Sequence, residues 1–130
     1  MPNSLQHILC IDDESDILEV AKMCLETIGG LQVTCLNSGA EAVAKAEAIQ
    51  PDIIMLDVMM PEMDGPSTLK KLRENPALNH IPIVFMTARV QPSEVQEYMA
   101  MGAAGVVPKP FDPMLITAQV TEIWNKSKGK

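Results

Sequence analysis

Apolar residues gather along the chain in five short runs: His7–Ile11, Val33–Leu36, Ile53–Leu56, Ile83–Thr87 and the shorter Gly105–Val107. Four of them are continuous rather than alternating, the pattern of strands buried on both faces of a parallel sheet. Between them lie amphipathic or alanine-rich stretches of about ten to fifteen residues, the length of a crossover helix. Ile17, Val20, Ala21, Cys24, Leu25 and Ile28 follow helical spacing and predict a first helix, stopped by Gly29-Gly30. Alanines from Ser38 to Gln50 predict a second, closed by Pro51. A third is expected over roughly Pro66–Glu74, before Asn75-Pro76, and a fourth from Pro92 or Ser93 to Gly102. The fifth is expected from Asp112-Pro113, a cap followed by proline at the first helical position.

Strands alternating with helices predict an α/β fold: a doubly wound five-stranded parallel sheet with five helices, in the flavodoxin-like order 2-1-3-4-5. No repeat and no linker is visible. The 130 residues are expected to form a single domain with its core at about 7–126, no output domain, and a frayed end over Ser127–Lys130.

Composition narrows the classes of function. A net charge of −7 argues against a surface that coats DNA or RNA, which needs a basic stripe. No apolar run approaches the roughly eighteen residues that cross a bilayer, so no membrane partner is expected. Met1–Gln6 lacks the basic start and apolar stretch of a signal peptide, which predicts a cytoplasmic protein. Cys10, Cys24 and Cys35 are odd in number, far apart and set among apolar neighbours, as small reduced core residues would be. Most of the ten methionines are expected to fill core gaps, with Met59, Met60 and Met63 beside the candidate site.

In a parallel sheet the residues after each strand meet on one rim. Those positions hold Asp12 and Asp13 after the first strand, Asp57 after the third, Thr87 ending the fourth and Lys109 after the fifth. Strands one and three are neighbours in the expected order, so three carboxylates enter one crevice with a lysine and a hydroxyl nearby. Such carboxylates repel one another and hold their protons more tightly unless a cation compensates. Oxygen ligands select a hard ion, and a few carboxylates plus water and a phosphate oxygen suit Mg²⁺. Lys109 and Thr87 can then bind phosphoryl oxygens, and Asp57 is the natural nucleophile for an acyl phosphate. Singly, each residue has a blander role: Asp12 a cap, Thr87 a strand end, Lys109 a solvated charge. Their convergence on one rim favours chemistry. Asp64 and Gly65 are expected only to shape the turn into the third helix.

Asp12-Asp13 after an apolar strand, Leu56-Asp57-Val58-Met59-Met60-Pro61-Glu62-Met63-Asp64-Gly65, Met86-Thr87-Ala88 and Lys109-Pro110-Phe111 together resemble the response-regulator receiver family. The likeness runs from about Ile8 to Trp124, with every motif in order. It implies that Asp57 is the phosphoacceptor, charged from a phosphohistidine on a histidine kinase or phosphotransfer protein. It implies that Asp13 ligates Mg²⁺ directly and Asp12 through water, with Asp57 and the Met59 backbone carbonyl as further ligands. Lys109 would bind the phosphoryl group and Thr87 would move toward it as the switch. The Lys109–Pro110 peptide would be cis. A downstream target would dock on the helix 4–strand 5–helix 5 face, with homodimerisation as one use of that face. Such a protein is a phosphoacceptor that assists its own phosphoryl transfer, not an enzyme.

One position departs from the family pattern. Val106 stands where many relatives carry Tyr or Phe, so coupling is expected to run mainly through Thr87 and the loop Ala88–Gln91. Met59 and Arg89 stand where the family tunes water access to the acyl phosphate, and Met59 could screen the phosphoryl group or simply pack neutrally. Three rivals differ in their residues. A non-phosphorylating receiver-like interaction module would lack an acid, the lysine or the phosphoacceptor. An aspartyl-phosphate hydrolase would carry a second acid where Met59 stands, and a flavin protein would want a Ser-, Thr- or Gly-rich loop after the first strand in place of Asp12-Asp13-Glu14.

Overall fold

The computed structural model describes residues 5–128. Five strands, β1 (His7–Ile11), β2 (Gln32–Leu36), β3 (Ile53–Asp57), β4 (Ile83–Thr87) and β5 (Gly105–Pro108), form one parallel sheet in the order β2-β1-β3-β4-β5. The helices are α1 (Ser15–Met23), α2 (Gly39–Ile49), α3 (Gly65–Arg73), α4 (Pro92–Ala100) and α5 (Ile116–Lys128). Among the described residues no helix is long and apolar enough to cross a membrane.

The continuous apolar runs follow from a sheet covered on both sides. Side chains alternate across a strand, so Leu9, Ile11, Ile54, Leu56, Ile83 and Phe85 pack with Leu69, Leu72 and Tyr98 from α3 and α4. Ile8, Cys10, Ile53, Met55, Val84 and Met86 face the other way, toward Leu18, Ala21, Val120 and Trp124 from α1 and α5. β3 and β4 lie inside the sheet and are buried along their whole length. Asp52 secures the entry to the two central strands, its carboxylate accepting from the backbone N–H groups of Gln6 and His7 at 3.0 and 2.9 Å.

Helix starts are held by side-chain caps that satisfy otherwise unpartnered amides. Ser38 accepts from Glu41 N–H at 3.1 Å before α2. Asp64 accepts from Ser67 N–H at 2.9 Å before α3, the turn-shaping role expected of it. At the other end of α3, Arg73 donates to the carbonyls of Leu78 and Ile81 at 2.9 and 2.8 Å, tying the helix to the approach to β4.

Four expectations need correction. The first helix is regular only to Met23 and continues as a π-helical segment, Cys24–Ile28, which adds residues per turn and shifts the apolar face. Ile28 is consequently 50% exposed, and Val20 is exposed because it lies about 200° around the helix from buried Leu18. The fifth helix starts one turn late: Asp112 accepts from Met114 N–H at 3.0 Å, capping a turn at 113–115, and regular helix begins at Ile116. Ser127 and Lys128 belong to that helix instead of a frayed end, and the Ser127 hydroxyl donates to the Trp124 carbonyl; residues 129–130 lie outside the described residues. Most methionines do not fill the core. Met55, Met60 and Met86 are buried, whereas Met23, Met59, Met99, Met101 and Met114 are exposed. The cysteines are free thiols, with Cys10 and Cys24 buried and Cys35 half-buried.

Gly65 holds α3 against the strand that ends in Asp57. A Cβ there would lie 2.6 Å from the Asp57 carbonyl oxygen and 2.8 Å from Val58 Cα, with backbone on both sides and nothing free to yield. The Gly65 N–H donates to the Val58 carbonyl at 2.9 Å. Gly65→Ala is therefore expected to destabilise the protein by about 1–3 kcal/mol, the usual cost of overpacking. Urea unfolding should show a lower midpoint at unchanged slope, and a midpoint within error of the parent would show that α3 is free to shift.

Candidate functional site: an acidic crevice at the strand ends

The parallel sheet delivers its strand ends to one rim, and there the expected residues meet. Asp12 follows β1 directly, Asp57 closes β3, Thr87 closes β4, and Lys109 follows β5, one residue ahead of a cis peptide to Pro110. Carboxylate oxygens of Asp12, Asp13 and Asp57 all lie within 4.8 Å of one another. A crevice of about 340 Å³ opens beside them, lined by Asp13, Glu14, Asp57, Met59, Thr87, Ala88 and Lys109.

Lys109 organises this cluster. Its ammonium donates to Asp12 Oδ2 at 3.0 Å and to Asp57 Oδ1 at 3.2 Å. Asp12 is fully buried, and its second oxygen accepts from Glu14 N–H at 2.9 Å, so it backs the lysine and does not line the crevice. Asp57 is 3% exposed and accepts in addition from Met59 N–H at 3.4 Å. Asp13 is exposed at the crevice edge. Thr87 is buried, and its hydroxyl oxygen accepts from Arg89 N–H at 2.9 Å, which leaves the hydroxyl proton free to donate.

Charges in this setting are displaced from their ordinary behaviour. Burial foremost, with repulsion from Asp12 next, pushes the Asp57 carboxyl up to about 6, against the opposing pull of Lys109 and the Met59 amide. Burial works to lower Lys109, but its hydrogen bonds and charge attractions to Asp12 and Asp57 outweigh that and hold the ammonium above its usual value. The arrangement thus combines a carboxylate of raised basicity, a fixed cation and a set of oxygen donors.

Two neighbours of the crevice, named in the sequence only as parts of motifs or loops, were not among the candidate site residues. Glu14 lies 3.9 Å from Lys109 Nζ at the mouth, and the only sequence signal was its place beside Asp13. Ala88 lines the wall simply by following Thr87, a contact that its residue type does not advertise. Met59 is 71% exposed and lines the crevice. Arg89 reaches outward toward Glu94 at 3.9 Å.

A family model described as response regulator receiver domain matches residues 8–121. The chain belongs to the response-regulator receiver family. The receiver is 36% identical over 121 residues to the alkaline phosphatase synthesis transcriptional regulatory protein PhoP of Bacillus subtilis, covering 93% of this chain and 49% of that protein. It is 31% identical over 124 residues to response regulator SaeR of Staphylococcus aureus, covering 95% of this chain and 53% of the relative. It therefore spans about half the length of the curated relatives it matches. Among solved structures, chemotaxis response regulator CheY4 of Vibrio cholerae superposes with a TM-score of 0.84 at 31% identity, over 92% of this chain and 99% of that one. The signal receiver domain of a histidine kinase from Syntrophus aciditrophicus superposes with a TM-score of 0.80 at 30% identity, over 96% and 94%. The flavodoxin-like order expected from the sequence is the order observed.

The raised Asp57 makes metal-free stability depend on pH. The folded receiver takes up this proton near pH 6, whereas the unfolded chain does so near the ordinary carboxylate value of 3.8. Between these values the folded state holds more protons, so this group's contribution to stability falls as pH rises through the window. Asn keeps the shape and removes the charge. Asp57→Asn is expected to raise the metal-free unfolding free energy at pH 7.5 by about 1–3 kcal/mol, with the gain shrinking toward zero by pH 4. Urea titrations at the two pH values check this, and a gain of the same size at both would show that the carboxylate's charge is not the cause.

Proposed function

We propose that Asp57 accepts a phosphoryl group from a phosphohistidine on a histidine kinase or phosphotransfer protein and that the acyl phosphate switches a protein-binding surface. The observation that carries this is Lys109 held between Asp12 and Asp57 beside an open crevice with Thr87 on its wall. An Asp57 carboxylate oxygen attacks phosphorus, the N–P bond of the phosphohistidine breaks, and the departing imidazole takes up a proton. Lys109, already 3.2 Å from the nucleophile, would follow the charge to the phosphoryl oxygens, because it stays protonated and keeps Asp12 as its second anchor. Thr87 would release the Arg89 amide and donate its free proton to another oxygen.

The donor set fits a hard divalent cation, since Asp12, Asp13 and Asp57 offer only oxygen within 4.8 Å of one another. In this reading Asp13 and Asp57 hold Mg²⁺ with the Met59 carbonyl, and Asp12 holds it through water. The ion would supply charge neutralisation for the transferring group. The receiver acts as a phosphoacceptor assisting its own transfer and hydrolysis, not as an enzyme with a separate substrate. It works in the cytoplasm, and residues 1–130 make up one receiver domain with its core at about 7–126. Its target docks on α4, β5 and α5, with homodimerisation as one form of that contact, and neither nucleic acid nor membrane is bound directly. Val106, half-buried and in register beside Phe85, offers no ring to turn, so the response runs through Thr87 and Ala88–Gln91.

Intact mass after incubation with a small phosphodonor and Mg²⁺ tests the chemistry. One phosphoryl group is expected on the parent, none after EDTA and none on Asp57→Asn; no gain with any donor, phosphohistidine donors included, would leave a non-phosphorylating interaction module. The exposed Met59 is expected to shield the acyl phosphate from water, so Met59→Asn should speed its loss several-fold. An unchanged decay by phosphate release would remove shielding from the account.

A further inference from the structure

A second concavity lies apart from the crevice. Pro66, Ser67, Leu69, Lys70 and Arg73 of α3 and Met101 at the end of α4 enclose a groove of about 500 Å³. Its floor is Leu69, 3% exposed, and one wall is Met101, 45% exposed. Pro66, Leu69, Lys70 and Arg73 recur at the spacing of one helix face, so the groove runs along α3. The Arg73 guanidinium is spent on the Leu78 and Ile81 carbonyls, which fixes its stem as a rigid wall.

Charge singles this groove out. Lys22, Lys45, Arg89, Lys109 and Lys126 each face a carboxylate at 3.9 Å or less. Lys70, Lys71 and Arg73 face none among the described residues, although the chain carries a net charge of −7. Lys70, without a carboxylate, and Arg73, whose charge is held by carbonyls rather than carboxylates, flank an apolar floor on an acidic protein and form a surface whose complement is both acidic and apolar. The volume lies within the roughly 300–1,000 Å³ of binding sites, and a flexible exposed methionine adapts to varied apolar side chains.

We propose that this α3–α4 groove docks an acidic amphipathic segment of a partner protein, its apolar side chains on Leu69 and Met101 and a carboxylate at Lys70. The occupant presents apolar residues at helical spacing with Asp or Glu beside them. This contact is distinct from the α4–β5–α5 face and does not rest on phosphorylation of Asp57.

The test is selection of random displayed peptides on the full chain, followed by amide chemical shifts of the labelled protein with the best enriched peptide. The enriched pool is expected to be rich in Asp and Glu with spaced apolar residues. Shifts should centre on Ser67–Arg73 and Met101–Gly102, and affinity should fall with salt. Lys70→Glu and Met101→Ser, both exposed positions, should each weaken binding about tenfold at unchanged thermal unfolding. A pool without excess acid, no enrichment at all, or shifts centred on α5 or the crevice would overturn the proposal. So would decanoate shifting the same amides as strongly as the peptide, which would make the groove a site for small fatty anions.

Discussion

The ammonium of Lys109 lies between two carboxylates that could not otherwise share the interior. Asp12 is fully buried and Asp57 nearly so, and two unpaired charges in such surroundings would cost several kcal/mol each. The lysine offsets only part of this, because it is one charge against two and Asp13 adds a third beside them. The remaining imbalance appears as the raised basicity of Asp57. The crevice is thus held short of electrostatic satisfaction by its own scaffold. A cation bound there meets a demand that the fold has already created.

The scaffold imposes that juxtaposition through topology. β1 and β3 are adjacent because the chain crosses from β2 back over β1, so Asp12 and Asp57 emerge side by side although 45 residues separate them. Lys109 arrives from the far edge of the sheet, reaching over β4 to the pair. α3 leaves from directly behind the nucleophile, pressed to its carbonyl at Gly65 and anchored at its other end by Arg73. The strand order and the Gly65 contact are constraints of the backbone, and Lys109 and Arg73 complete them with long side chains.

Much of this was legible in the residues because buried parallel strands require continuous apolar runs, and strand ends in such a sheet converge. The strands were therefore found to within a residue, and the acids, threonine and lysine were found through them. What escaped depends on contacts that no local pattern encodes. The π-helical segment after Met23 is invisible to a search at ordinary helical spacing, so Ile28 was placed on the wrong face, and Val20 was misplaced for want of a known buried face to measure from. Asp112-Pro113 carries the chemistry of a helix start, but the turn it caps precedes the regular helix. Methionine is as compatible with an exposed surface as with a core, and its burial had to be seen. The place of Asp12 behind Lys109, where it backs the lysine without lining the crevice, needed the side-chain geometry. The α3–α4 groove was hidden for a similar reason, since Lys70 and Arg73 look like any solvated helix face until their partners are known.

The crevice has two kinds of wall. The side toward α3 is main chain pressed against main chain, where no side chain can be exchanged without moving a helix. Another part of the lining is Glu14 and Met59, both exposed and neither part of the core. In the proposed reading, the residues that time the signal and those that hold the fold are therefore separate. Sequence drift at the mouth would change a signal's memory while the fold keeps its stability, letting one scaffold serve both fast and slow circuits.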